Sequence, residues 1–126
     1  MKHARLSLLV VFALAAAAMS AGAAESTIEG TLVDSKCYLS DNSLTGNDHG
    51  AMKECGTMCL KGGTPAAVLS QDKKFTAIIA PSVPLAPHVG QQVRVTGEQH
   101  SGSILAKKVE VKKNGKWEEV KLGAMM

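Results

Sequence analysis

From residue 26 onward, turn-forming residues cut the chain into short segments rich in β-branched side chains, and this spacing constrains the fold more than any other feature. Residues 26–35 (STIEGTLVDS) alternate in part, with Ile28 and Leu32 on one side and Thr27, Thr31 and Val33 on the other, which predicts a strand. Residues 66–69, 75–79, 92–97, 103–111 and 117–122 predict further short strands. Pro81, Pro84 and Pro87 punctuate the segment between the third and fourth strands, leaving room for one turn of helix at most. Asn114-Gly115 predicts a tight hairpin, since both residues tolerate the positive φ of a type I′ turn. Trp117 and Val120 fall out of phase, so the last strand is expected to carry a bulge or lie on an edge. Strands of this number, with an irregular link between the third and fourth, match a mainly β, five- to six-stranded OB-like barrel, with a small sandwich as the second choice. Val93 and Val95, between Gly90 and Gly97, fit the inward side of the barrel's fourth strand.

The N-terminus has Lys2, His3 and Arg5, then an apolar run over 6–19, then Ser20-Ala21-Gly22-Ala23-Ala24. That order predicts a cleavable secretory signal over 1–23. The run is shorter than the ~20 residues a membrane span needs, so no stable anchor is expected after cleavage. A single domain over 24–126 remains, expected in the periplasm or secreted. Losing Lys2 and Arg5 takes the 14 basic residues to 12, against 11 acidic ones. This near-neutral balance, with only Tyr38, Phe75 and Trp117 as aromatics beyond the leader, gives no basic stacking platform, and no nucleic-acid partner is expected.

Between the first two strands lies an insertion, about 36–63, that holds all three cysteines. Residues 40–47 read as a loop, and 48–61 (DHGAMKECGTMCLK) as a helix capped by Asn47 or Asp48 and closed by Gly62, Gly63 and Pro65. Gly50 and Gly56 weaken that helix by about 1 kcal/mol each relative to alanine, so packing or a cross-link must hold it. Cys55 and Cys59 share a helix face, Cys37 enters from the end of the first strand, and His49 starts the helix. The four make a Cys3His set, C-x11-H-x5-C-x3-C, suited to tetrahedral Zn²⁺. Cu(I) is the second choice, since thiolates favour it and Met52 and Met58 are near, although both methionines are expected to pack the helix on the barrel. Asp34 is expected to end its strand in solvent, with ligation or support of His49 as the alternative.

An oxidising compartment raises a rival, a disulfide from Cys37 to Cys55 or Cys59 that clamps a binding module for a protein, glycan or small ligand. A Cys55–Cys59 bridge fits poorly, because Cβ atoms four apart on a helix lie about 5–6 Å apart, against ~3.8 Å for a disulfide. Either pairing leaves a third thiol, which points to a ligand, an intermolecular bond or redox work. His88, His100 and the pairs Lys73-Lys74, Lys107-Lys108 and Lys112-Lys113 are expected in solvent. The chain carries no G-x-S-x-G, H-E-x-x-H, phosphate loop or C-x-x-C-H, and it is expected not to be an enzyme.

Gly30-Thr31-Leu32-Val33-Asp34-Ser35-Lys36-Cys37, then His49, Cys55 and Cys59, then Gly63, Val68-Leu69 and Gly90 to Gly97 give the chain a likeness. It resembles small exported bacterial proteins with an OB-like domain of unknown function, marked by D-x-K-C, then H-x5-C-x3-C, then G-x-x-V-x-V-x-G. The likeness runs from about Thr27 to Val111, and departs from the pattern in Tyr38, where glycine is common, and in the basic extension after Val111. It implies a fold and a secreted location, and carries no established activity or site residues.

Overall fold

The computed structural model describes residues 24–124, so the signal segment expected over 1–23 lies outside the described residues, as do the last two. Strands β1 (Glu25–Asp34), β2 (Ala66–Leu69), β3 (Phe75–Ile79), β4 (Gln92–His100), β5 (Ser103–Lys113) and β6 (Lys116–Val120) form one sheet in the order β3-β2-β1-β4-β5-β6. A parallel pairing of β3 with β5 closes the first five into an OB-like barrel and leaves β6 as an added strand on β5. β1 serves two neighbours: residues 25–31 pair with β4 and residues 31–34 with β2. Among the described residues no helix is long and apolar enough to cross a membrane.

Alternation along β1 sorts its side chains between two hydrophobic clusters. Leu32 faces the barrel core with its β2 partner Val68, and with Val93, Val95, Ile104, Val109 and Val111 from β4 and β5. Val33 points the other way, onto a smaller cluster with Ala67, Leu69, Tyr38 and the half-buried Phe75. The end of β1 is therefore buried on both faces. Asp34, two residues beyond Leu32, shares the core-facing side and pairs with the buried Ala66.

The proline segment winds further than the single turn expected, into a 3-10 helix over Val83–His88. Pro81, Pro84 and Pro87 recur every three residues, the repeat of a 3-10 helix, and their fixed φ suits it. Leu85 and Ala86 are buried in the barrel core. The hairpin after β5 turns at Asn114 (φ 50°) and Gly115 (φ 76°), both in the left-handed region a type I′ turn demands. β6 lies at the edge with an unbroken register, and the register shift lies between β4 and β5, where Lys107 is the extra residue opposite Thr96 and Gly97.

Arg94 and Glu110 are direct cross-strand partners on β4 and β5. The guanidinium donates from Nε at 2.8 Å and from Nη2 at 3.1 Å to the two carboxylate oxygens, and lies 4.6 Å from the centroid of the Trp117 ring. The Arg94 hydrogen bonds, aided by Lys108, hold the Glu110 carboxyl down at about 2. A folded-state pKa below the unfolded one stabilises the fold above the unfolded value, here 4.5, and that contribution fades as pH falls toward 2. Acid titration of the metal-free protein is therefore expected to show a loss of stability in this window that Glu110→Gln flattens, measured by urea unfolding at stepped pH.

Candidate metal centre

Two short helices fill the connection from β1 to β2, and each is anchored separately. Helix α1 (Ser35–Ser40) starts directly off β1, where Asp34 caps it by accepting at Oδ1 from Lys36 N at 3.0 Å. It is held by Tyr38, which is buried in the smaller cluster and stacks on Phe75 with ring centroids 5.7 Å apart. Cys37 thus sits on the first turn of a helix rather than in an extended lead-in.

Helix α2 (Cys55–Lys61) is only the second half of the helix expected over 48–61. Gly50 (φ 59°) and Glu54 (φ 52°) are left-handed, and His49 and Met52 exchange backbone hydrogen bonds at 2.9 and 3.0 Å, so residues 49–52 form a tight turn. Of the two supports expected, packing or a cross-link, packing and hydrogen bonds hold it. Leu60 is fully buried in the barrel core. Asn47 Oδ1 accepts from Thr57 N at 2.8 Å, and the Thr57 hydroxyl lies 2.9 Å from both Asn47 Oδ1 and the Ala86 carbonyl, its one proton serving either. Ser82 Oγ donates to the Leu60 carbonyl at 3.0 Å. Gly56 is required by contact, since a Cβ there would lie 2.6 Å from Val89 Cγ1.

The Cys/His groups of this insertion lie close enough to bind a metal. Their donor atoms fall into two triads that share one sulfur: Cys37, His49 and Cys55, and Asp34, Cys37 and Cys59, with the atoms of each triad within 4.8 Å of one another. The rival disulfide, from Cys37 to Cys55 or Cys59, is not formed, and all three cysteines are free. The helices bearing them are pinned by different clusters, which brings the sulfurs near without joining them.

His49 is buried, and its Nε2 lies 3.0 Å from the Gly46 carbonyl oxygen. A carbonyl only accepts, so Nε2 carries the proton and Nδ1 holds the lone pair. That Nδ1 is buried with no hydrogen-bond partner. Asp34, expected in solvent, is 1 % exposed, and its Oδ2 is likewise buried without a partner. Its place on the core-facing side of β1 explains the burial, and side-chain parity from Leu32 was the signal for it.

Burial pushes the Cys37 thiol up to about 12, with the Asp34 carboxylate next in effect. Burial and then Asp34 also raise Cys59. Both thiols are thereby held in the neutral form, which disfavours a nucleophilic or redox role at neutral pH. Met52 and Met58 are exposed, at 60 % and 63 %, so neither packs the helix on the barrel as expected. His100 is exposed, whereas His88 is half-buried with Nδ1 3.2 Å from Gln91 Oε1. Neither histidine belongs to the two triads.

No family model, curated protein or solved structure matches this chain.

Proposed function

We propose that this is an exported, non-enzymatic protein that binds a metal ion through Cys37, His49, Cys55 and Cys59, with zinc as the first choice and Cu(I) as the second. His49 carries this reading: its ring is grouped with two thiols, and its buried Nδ1 has no hydrogen-bond partner. Buried polar atoms almost always have partners, and a cation is the partner that an imidazole lone pair and thiolates jointly fit. The Gly46 carbonyl fixes the ring's tautomer as an outer partner of a metal-bound histidine does. Zinc accepts a mixed nitrogen and sulfur set such as this one. The charged, apolar and small-residue order of residues 1–24 supports export.

His49→Ala tests the site. Loss of a direct ligand should weaken zinc binding by more than the 10–100-fold typical of outer-partner changes, read by competition with a chromophoric chelator under reducing conditions. Unchanged affinity would sink the assignment. The variant should keep the barrel's far-UV circular dichroism, because the core lies in the strands and in Leu60.

A further inference from the structure

The single-ion reading leaves the Asp34 carboxylate unused. Building on that reading, we propose that the cluster holds two metal ions, the second between Asp34, Cys37 and Cys59, with Cys37 Sγ bridging both. Three observations converge on it. First, the donors form two groups with a common sulfur, Cys37 standing in both. Donors bound 2.0–2.3 Å from one tetrahedral ion lie about 3.3–3.8 Å apart, so each triad needs only a small contraction around its own ion. A thiolate sulfur has lone pairs enough for two ions.

Second, Asp34 is divided between two tasks. Oδ1 caps α1 through Lys36 N, while Oδ2 is buried with no partner on the core-facing side of β1. Lys36 is itself exposed, and the groups that approach the Asp34 carboxylate are the Cys37 and Cys59 thiols, whose protons a cation would displace. A carboxylate oxygen of Asp34 lies within 4.8 Å of the Cys37 and Cys59 sulfurs.

Third, the charges of the full donor set suit two ions. Three thiolates and one carboxylate carry four negative charges. Two divalent ions leave that fully deprotonated set neutral. Loading is a ligand exchange without electron transfer: two Zn²⁺ displace the three thiol protons into solvent and join the existing carboxylate.

Native mass spectrometry of the reduced protein loaded with Zn²⁺ alone tests the proposal. Two zinc ions per chain are expected, falling to one in Asp34→Asn, which retains an oxygen to cap Lys36 N but loses the charge. Cys59→Ser should likewise hold one, and so should His49→Ala, which empties the other position. One zinc in the unaltered protein overturns the two-ion proposal and leaves the single-ion reading standing, whereas none overturns both. Two zinc ions in both Asp34→Asn and Cys59→Ser would also overturn it.

Discussion

Cys37→Ser is expected to abolish tight zinc binding, the largest effect of any single ligand change. Cys37 is the one donor common to both triads, so its loss leaves His49 with Cys55 on one side and Asp34 with Cys59 on the other, each a two-donor remnant. Cys55→Ser spares the Asp34 triad, and Cys59→Ser spares the His49 triad, so each should retain an ion. Structural zinc sites in small peptides bind with about 10–16 kcal/mol, a free energy that depends on the full ligand set. Cys37→Ser should therefore lose the thiolate-to-metal absorption of the cobalt-substituted protein, while Cys55→Ser and Cys59→Ser keep part of it. The barrel should survive the change, since α1 is held by Tyr38 on Phe75 and by the Asp34 cap, not by the thiol. Retention of zinc at unaltered affinity in Cys37→Ser would contradict both the site and the shared-sulfur geometry.

The barrel was legible because its signals are local. Residues 66–69 and 75–79 form strands as read, Val93 and Val95 face the core, and the Asn114-Gly115 turn has the backbone its residues demand. The insertion was less so. The helix expected over 48–61 broke where Gly50 and Glu54 turn left-handed, and no periodic signal separates residues 48–54 from the true helix that follows. Helix α1 was missed because Ser, Asp and Asn crowd residues 40–47, yet its start was marked by Asp34, a preferred cap residue. The thiols and histidine could be named from spacing, but their division into two triads depends on how α1 and α2 pack on separate clusters, a tertiary fact. Asp34 lay between the two cases. Its parity with Leu32 placed it on the core-facing side, while its charge argued for solvent; packing at the β1–β2 register decided for burial.

Leu60→Ala should cause the largest loss of stability among changes in the insertion, about 2–5 kcal/mol as for other buried leucines cut back to alanine. Leu60 is fully buried in the barrel core from the last turn of α2, and it is the helix's main hydrophobic anchor. The remaining attachments are hydrogen bonds through Thr57 and Ser82, which cannot replace the packing. Because α2 carries Cys55 and Cys59, loosening it also disperses the donors, so zinc affinity should fall although no ligand is altered. Linkage separates the two effects. If zinc binds only the folded state, saturating it at 100 times its dissociation constant adds about 2.7 kcal/mol, and urea unfolding with and without zinc reads this directly. Leu60→Met, close in volume, should cost less than about 1.5 kcal/mol and keep the zinc increment. A Leu60→Ala protein with undiminished stability would mean that α2 is not anchored in the core. If it were destabilised but kept full zinc affinity, the donors would be held in place by residues 47–54 and α1, and the barrel would contribute nothing to the site.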